Sequence, residues 1–381
     1  MRVLIAVTHL LGAGHLSRAL TLARSFVAAG HAVTVASGGM PVAQFDGGGI
    51  DLRQLPPLRS DGVNFTRLLD PQGAVADAEY LQARRQGMLQ ILGEIHPDIV
   101  ITELFPFGRR VLRGEFMGLL EAAQKMTPRP VILASVRDIL APPSKPEKAD
   151  ASAQIIFDFY DGVLVHSDAA STPLEQSWPV TAPLQRKLHY TGYVAPVPAG
   201  PHPDQAGAGE VLVSAGGGAV GQDLFQTAVA AARLSNGLKW RILVGGSDPA
   251  AQISELQAQA QGADVLIEAA RPDFRQMLHH AAASVSMCGY NTALDLMQAG
   301  TPSLFIPFDE GGEVEQTLRA QSLSHMHGMR MCRAGDLTPK RLLREVTELV
   351  QIPHGPPADI HFDGANETVR IAVAMAKERA C

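Results

Sequence analysis

Cysteine and charge are both scarce in this chain of 381 residues. The three cysteines, Cys288, Cys332 and Cys381, are far apart and odd in number. They predict neither a disulfide framework nor a cysteine metal site, and they favour a reducing compartment. Charged residues make up 18% of the chain and the formal net charge is -6. A negative chain has no long-range attraction for phosphate backbones, which argues against nucleic acid as a partner.

Long apolar runs and metal motifs are also absent. No apolar stretch approaches the roughly 20 residues that a membrane span needs. The apolar run at the start stops at Thr8, which gives it the length of a strand and makes it shorter than a secretory apolar core. No DxD triplet occurs, so we expect no metal and no cofactor at a diphosphate site. These absences predict a cytoplasmic protein, with peripheral contact to the inner membrane face as the open alternative.

Alternating strand and helix patterns fill both halves of the chain. Val3–Val7 is a short apolar run typical of a buried parallel strand. Apolar residues then recur at helical spacing from Leu16 to Val27, and Gly30 follows where a left-handed cap is often needed. The sequence therefore predicts an α/β protein with two Rossmann-like domains, each a parallel sheet covered by helices on both faces.

A segment without periodicity separates the two halves. Residues 195–209, APVPAGPHPDQAGAG, are rich in Pro, Gly and Ala and are predicted to be a linker. We predict an N-terminal domain over 1–194 and a C-terminal domain over 210–364. The last segment, 365–381, has the pattern of a helix.

A glycine loop follows the first predicted strand. Gly14 and His15 lie where the first helix begins, at the edge of the sheet where open α/β folds bind ligands. Ser17 stands where the dinucleotide motif needs a third glycine, and no acidic residue closes the second strand, so NAD is disfavoured. A neutral imidazole here can take a proton from an attacking hydroxyl. The alternative is a histidine that only bonds the turn.

Two loops in the second half have features of a diphosphate site. Three consecutive glycines, Gly216, Gly217 and Gly218, are easier to explain if a ligand touches the backbone, and a flexible turn is the alternative. Further on, Gly289 ends a strand before a predicted helix whose N-terminus favours a phosphate.

That second helix has polar residues at its start. Asn291 or Thr292 can cap it, and Asp295 lies about one turn inside. A carboxylate at this position is a natural acceptor for the two hydroxyls of a ribose.

The run MCGYNTALDLMQAGTPSLFIPFDEGGEVEQTLRAQ resembles the donor-binding region of glycosyltransferases of the GT-B fold. The most similar group is the one related to the lipid-II-forming N-acetylglucosaminyltransferase, with its many uncharacterised relatives. The opening THLLGAGHLSRALTLARSFVAAGHAVTVASGG and the segments SVRDIL and LHYTGYV resemble the same group. The resemblance covers most of the chain and implies two Rossmann-like domains that face a central cleft. It also implies that the last helix packs back on the N-terminal domain.

On the donor side, the resemblance implies a site in the C-terminal domain that takes a nucleotide sugar, with uridine as the implied base. Glycines 216–218 would face the diphosphate, and Gly289 and Asn291 would lie at the phosphate-binding helix start. Asp295 would contact the ribose, where relatives usually have Glu. Glu315 and Gln316 would meet the donor sugar, where some relatives carry two glutamines. Arg271 lies near the nucleotide or forms an ordinary surface ion pair.

On the acceptor side, the resemblance implies that His15 is the catalytic base, beside Gly14. Asp138 or Glu103, at the ends of later strands, would orient it. Arg109, followed by two further arginines, either grips a lipid phosphate or is a solvated helix start.

Such a site would transfer a hexose from a nucleoside diphosphate to an acceptor hydroxyl. Main-chain N–H groups would stabilise the leaving group without metal, and an in-line base would give inversion. The acceptor is expected to be lipid-linked or a polysaccharide, which fits cell-envelope or glycoconjugate biosynthesis. A nucleotide-sugar hydrolase, an epimerase and a non-catalytic nucleotide-sugar-binding protein remain as alternatives.

Overall fold

The computed structural model describes residues 1–10, 13–42, 48–60, 67–216, 220–246, 248–309, 313–355 and 360–380. The chain divides into two compact units, one of Met1–Pro196 with His361–Cys381 and the other of Val197–Ile360. The sequence predicts a linker over 195–209, whereas the structure includes most of that segment in the second unit. His202 shows why, because its side chain is buried and its Nε2 lies 3.0 Å from the Asp273 carboxylate.

The first unit is built around one eight-stranded sheet. Its strands are β1 (Arg2–Val7), β2 (Ala32–Gly39), β3 (Asp51–Ser60), β4 (Leu68–Leu69), β5 (Ile99–Glu103), β6 (Val131–Arg137), β7 (Gly162–His166) and β8 (Leu188–Tyr190). They lie in the order β4-β3-β2-β1-β5-β6-β7-β8, and among the described strand pairs only β3–β4 is antiparallel. The first helices are α1 (Gly14–Ala28), α2 (Ala78–Ile95), α3 (Arg113–Gln124), α4 (Pro146–Phe159) and α5 (Ala182–Gln185).

The second unit is a six-stranded sheet that is parallel throughout its described pairs. Its strands are β9 (Glu210–Ser214), β10 (Lys239–Val244), β11 (Val265–Ala269), β12 (Ala283–Ser286), β13 (Ser303–Phe305) and β14 (Met329–Met331). They lie in the order β11-β10-β9-β12-β13-β14. The helices are α6 (Gln222–Leu234), α7 (Ala250–Gln259), α8 (Phe274–Met277), α9 (Tyr290–Ala299), α10 (Glu315–Leu323) and α11 (Pro339–Leu349). The α/β prediction is confirmed in both units.

The first helix forms as its sequence pattern predicts. Leu16, Leu20 and Ala23 are buried on one face, because apolar residues at this spacing form a stripe that packs on the sheet. α1 ends at Ala28, and Gly30 follows with φ +81°, a left-handed conformation that glycine adopts without strain.

The last helix, α12 (Gly364–Ala380), belongs to the first unit. Val369 and Ala372 are buried in the same cluster as Leu16 and Leu20 of α1. The cluster covers one face of the first sheet, and α2, α3 and α4 cover the other. Within the described part of the chain, none of the helices combines the length and the apolarity needed to cross a membrane.

Some strands carry too weak a pattern to be predicted. β3 contains Pro56 and Pro57 and its first four residues are exposed, so it lacks the continuous apolar run of the central strands. β8 and β14 have three residues each, which is too short for a periodicity signal. All three lie at or near the edge of their sheets, and strands there need less apolar surface than central strands.

The strand order of each sheet defines one switch point. In the first sheet, the chain leaves β1 toward β2, whereas β5 lies on the other side of β1. In the second sheet, β9 and β12 have the same relation. Connections on the two sides of such a point diverge, which opens a crevice at the carboxyl ends of the two strands, and ligands bind there. Each unit therefore offers one crevice for a site.

Candidate active site

The switch point of the first unit brings a histidine and a buried glutamate together. His15 is the second residue of α1, and Glu103 is the last residue of β5. The Nδ1 atom of His15 lies 3.0 Å from Oε1 of Glu103. The His15 side chain is 16% exposed and that of Glu103 is 1% exposed. The imidazole is therefore held from the protein side and remains open to solvent on its other side.

The contacts of Glu103 decide which nitrogen of His15 carries the proton. Arg18, one turn further along α1, forms an ion pair with the same Oε1 atom, and its Nη2 lies 3.1 Å from Nδ1 of His15. Nδ1 cannot both accept from Arg18 and donate to Glu103, and a carboxylate has no proton to give. An unprotonated Nδ1 would place its lone pair 3.0 Å from a carboxylate oxygen, so we assign the proton to Nδ1, which donates to Glu103 and leaves the lone pair on Nε2.

Charges around the pair keep Glu103 ionised and His15 neutral. Burial alone would raise the pKa of Glu103, but the Arg18 cation and the hydrogen bonds from His15 and Ser135 hold it well below its usual range. Burial lowers the pKa of His15 to about 3, against its hydrogen bond to Glu103, and the Arg18 and Arg109 cations add to the lowering. The imidazole is thus a neutral proton acceptor across the physiological pH range.

Arg109 places a cation next to this pair. Its backbone is left-handed, with φ +56°, and its Nε donates to the carbonyl of Thr8 at 2.6 Å. Burial lowers the pKa of Arg109 to about 10, even though Glu103 attracts the cation. Among the residues that the structure describes, its two Nη atoms have no hydrogen-bond partner. A cation placed in this way attracts an anionic ligand.

Of the two predicted orienting carboxylates, the structure brings Glu103 to His15. Asp138 follows β6 directly and is buried. The strand order places β5 between β1 and β6, so the carboxyl end of β5 is the nearer neighbour of α1. Sequence alone cannot make this choice, because both acids stand at strand ends.

The sequence argument does not identify three residues at this site. Arg18 pairs with Glu103, and the hydroxyl of Ser135 in β6 donates to Oε2 of Glu103 at 2.6 Å. Nε2 of His166, the last residue of β7, lies 2.9 Å from the Ser135 hydroxyl. Arg18 lies three residues after His15, and this spacing places the two side chains next to each other on a helix, so the sequence could have indicated Arg18. Ser135 and His166 become neighbours only through strand pairing.

The switch point of the second unit contains the predicted glycines. Gly216 follows β9 with φ +83°, and a Cβ added there would meet no atom of the described residues within 4 Å. Gly217 and Gly218 lie outside the described residues. Gly289 is the N-cap of α9, and the nearest atom to an added Cβ is Thr292 Oγ1 at 4.0 Å. Both described glycines thus border open space, which favours a ligand over packing as the reason for them.

The polar residues at the start of α9 differ from the prediction in one respect. Asn291 and Thr292 are the second and third residues of the helix and do not cap it, because Gly289 occupies the N-cap without a side-chain hydrogen bond. The first N–H groups of a helix have no partner inside it, so they are available to a phosphate. Arg319 supports this turn, donating to the carbonyl of Cys288 at 3.0 Å.

Asp295 lies inside α9, where it already has a partner. Its Oδ1 accepts from Nε of Arg275 at 2.7 Å, and its side chain is 14% exposed. Burial raises the pKa of Asp295 to about 6, even though the Arg275 cation lowers it. The carboxyl therefore changes charge close to neutral pH.

Arg271 forms the ordinary ion pair that the sequence leaves open. It donates to both carboxylate oxygens of Asp273, with distances of 2.8 and 2.5 Å. These hydrogen bonds raise its pKa above the usual value. Its charge is already neutralised locally, which weakens the case for a nucleotide contact.

The predicted donor-sugar residues begin α10. Glu315 is the first residue of the helix, and Oε1 of Gln316 accepts from the backbone N–H of Phe308 at 3.2 Å. A cavity of about 940 Å³ opens at this edge of the sheet, lined by residues that include Gly221, Asp223, Met287, Phe308 and Asp309. The lining adjoins the predicted residues without including them, so the cavity lies on the α6–α7 side of the switch point.

Residues 212–365 match the family model of the glycosyltransferase family 28 C-terminal domain. A UDP-N-acetylglucosamine--N-acetylmuramyl-(pentapeptide) pyrophosphoryl-undecaprenol N-acetylglucosamine transferase of Rhodospirillum rubrum is 30% identical over 141 residues, which are 36% of each chain. The chain therefore matches about a third of the length of this curated relative.

Solved structures match over nearly the whole chain. MurG of Acinetobacter baumannii has a TM-score of 0.64 at 14% identity, covering 98% of this chain and 100% of that one. The glycosyltransferase VinC in complex with dTDP has a TM-score of 0.61 at 15% identity, covering 99% and 100%. The chain thus has the fold of the GT-B glycosyltransferases, as predicted. The match to the family 28 C-terminal model lies almost wholly within the second unit.

Proposed function

We propose that this protein transfers a sugar from a nucleoside diphosphate to an acceptor hydroxyl, with His15 as the base. The observation that carries the proposal is the 3.0 Å contact between Nδ1 of His15 and the Glu103 carboxylate, which favours the tautomer with a free lone pair on Nε2. In the transfer, the acceptor oxygen attacks the anomeric carbon, its proton passes to Nε2, and the bond from that carbon to the phosphate oxygen breaks. An attack in line with the leaving group inverts the configuration.

The second unit is proposed to hold the donor. The N–H groups at the start of α9 and the backbone at Gly216 face open space at the switch point, where they can stabilise charge on the departing diphosphate. The family 28 match covers these residues, and the curated relative takes a UDP sugar by its name. We therefore propose a uridine diphosphate sugar as donor.

The first unit is proposed to bind an acceptor that carries phosphate. Arg109 supplies a cation beside His15, and α1 begins next to it without a side-chain cap. An anion at this place would offset the Arg109 charge and raise the pKa of His15, so that the base becomes stronger when the acceptor binds. The curated relative has a pyrophosphoryl-undecaprenol acceptor by its name. A lipid-linked diphosphate is thus the proposed acceptor class, reached at a membrane surface.

A methyl group at Gly289 tests the donor site. Gly289→Ala is expected to weaken UDP binding by about tenfold or more, because the added carbon would project into the space that a phosphate needs while clashing with nothing in the protein. Gly355→Ala is the matched control, since among the described residues no atom lies within 4 Å of a Cβ added there. Isothermal titration calorimetry with UDP gives the affinities, and thermal unfolding checks stability. Equal UDP affinity in the two variants would contradict the proposed donor site.

The pKa of Asp295 predicts a pH dependence of donor binding. Only the ionised carboxyl accepts from both ribose hydroxyls, so binding of UDP-glucose is expected to weaken about tenfold between pH 7 and pH 5, as the group with a pKa of about 6 takes up a proton. UDP-glucose is suitable because its phosphates do not titrate in this range. Asp295→Asn is expected to bind more weakly and without this dependence. The same pH dependence in Asp295→Asn would remove Asp295 from the ribose site.

A further inference from the structure

A chain of buried hydrogen bonds continues from Glu103 into the first sheet. Oε2 of Glu103 accepts from the hydroxyl of Ser135 at 2.6 Å, and that hydroxyl lies 2.9 Å from Nε2 of His166. Nδ1 of His166 in turn lies 2.9 Å from Oγ1 of Thr191. Ser135 and His166 are fully buried and Thr191 is 2% exposed. None of the three can touch a substrate directly.

The proton count fixes the direction of the part of this chain that runs from His166 through Ser135 to Glu103. A hydroxyl has one proton, and Ser135 must give it to Glu103, because two oxygens 2.6 Å apart without a proton between them repel each other. Nε2 of His166 must therefore donate to Ser135. Burial lowers the pKa of His166 to about 3, which excludes the doubly protonated ring. Nδ1 of His166 is then unprotonated, and it lies next to the hydroxyl of Thr191, which also lies 2.8 Å from the carbonyl oxygen of Gly192.

All donors therefore point toward one carboxylate. His166 donates to Ser135 and Ser135 to Glu103, while the other oxygen of Glu103 takes the contacts with Arg18 and Nδ1–H of His15. Hydrogen bonds in such a directed series polarise and strengthen one another. A carboxylate held at both oxygens cannot rotate away from His15.

We infer that Ser135 and His166 are positioning residues, which fix the carboxylate of Glu103 and so hold His15 in the tautomer with a free Nε2. The tautomers of His15 and His166 exist without substrate and do not depend on the proposed function. Only the expected effect on sugar transfer rests on that function. Sequence patterns give no hint of it. Serine and histidine inside parallel strands look like isolated polar residues until strand pairing aligns Ser135 with Glu103 and His166 with Arg137.

Imidazole nitrogen chemical shifts test the inference directly. The full-length protein is labelled with ¹⁵N-histidine, and the signals of His15 and His166 are assigned with His15→Gln and His166→Gln. Long-range ¹H–¹⁵N spectra at pH 7 are expected to show a proton on Nδ1 of His15 and on Nε2 of His166. A proton on Nδ1 of His166 would mean that Ser135 donates to His166, and it would overturn the inference.

Variants add a second readout. In Ser135→Ala, His166 keeps only Thr191 as a partner, so its proton is expected to move to Nδ1, and His15 is expected to populate both tautomers. Ser135→Thr keeps the hydroxyl and is expected to restore the original tautomers. Ser152→Ala is the matched control, because Ser152 is also a buried serine of this unit and donates to Pro106 instead. Unchanged spectra in Ser135→Ala would overturn the inference.

Turnover separates the inference from the proposed function. Ser135→Ala and His166→Phe are expected to lower sugar transfer from UDP-N-acetylglucosamine by about 10–100-fold with UDP affinity unchanged, the range usual for groups that orient a catalytic side chain. Full transfer in both variants would refute the positioning role and leave the proposed function intact. Expected tautomers in a wild-type protein that transfers no sugar from any UDP sugar would refute the function and leave the hydrogen-bond chain intact.

Discussion

Replacing His15 by glutamine is expected to lower sugar transfer by about 10²–10⁴-fold, the usual contribution of a general base. Glutamine keeps the polar character of the side chain but has no lone pair of comparable basicity at the position of Nε2. The donor site belongs to the second unit in the proposal, so UDP affinity should stay at the wild-type value. The loss should therefore be seen in kcat, because proton transfer contributes in the transition state and not in donor binding.

The measurement follows release of UDP from UDP-N-acetylglucosamine with a pyrophosphoryl-undecaprenol acceptor of the kind named for the curated relative. His325→Gln is the matched control, since His325 is an exposed histidine of the second unit. Titration with UDP checks that the donor site is intact in both variants. If His15→Gln retained more than a tenth of wild-type transfer, His15 could not be the base.

The second large effect is expected at Arg84, which is fully buried between α2 and the sheet. Its guanidinium pairs with both carboxylate oxygens of Glu115 in α3, at 2.8 and 3.0 Å. It also donates to the carbonyl of Gly38, near the end of β2, and to the carbonyl of Pro56, inside β3. One side chain thus holds four elements of the first unit together.

Arg84→Met is expected to lower the free energy of unfolding of the first unit by about 3–5 kcal/mol, because Glu115 would remain buried without its cation. Burial already raises the pKa of Glu115 against the attraction of Arg84, and loss of the arginine raises it further. An acid with a raised folded-state pKa costs stability as pH rises from its unfolded to its folded value. The destabilisation should therefore be larger at pH 8 than at pH 5.

Urea unfolding monitored by tryptophan fluorescence can isolate the first unit. The two tryptophans, Trp178 and Trp240, lie one in each unit, so a Trp240→Phe background reports on Trp178 alone. The double variant Arg84→Met/Glu115→Leu should recover most of the loss, because it removes the unpaired charge. Arg24→Met, at an exposed site on α1, should stay within about 0.5 kcal/mol of wild type. A double variant no more stable than Arg84→Met would contradict the charge argument.

Arg84 also explains the glycine at position 38, near the end of β2. A side chain on Gly38 would collide with Thr8 and Arg84. Thr8 is the residue whose carbonyl accepts from Arg109. Packing around Arg84 therefore supports the segment that positions the cation beside His15. Gly38 thus serves this close approach.

The sequence predicts the central strands of both units and the position of His15 at a loop between strand and helix. It does not predict β3, because Pro56 and Pro57 remove the apolar run on which strand prediction depends. It also leaves Asp138 and Glu103 as equal candidates. The sequence identifies Arg271 and Asp295 as candidates but not the residues that they pair with. In the structure, Arg271 pairs with Asp273, and Asp295 pairs with Arg275.

The amino-acid sequence by itself determined the α/β class, the two units and the loops that carry the candidate site, because apolar periodicity and glycine conformation are properties of short segments. Only the tertiary structure decided which charged and polar groups meet. The order of the strands places β5 next to β1 and β6 next to β5. That order joins His15, Glu103, Ser135 and His166 across 151 residues of sequence, a distance over which no local pattern carries information.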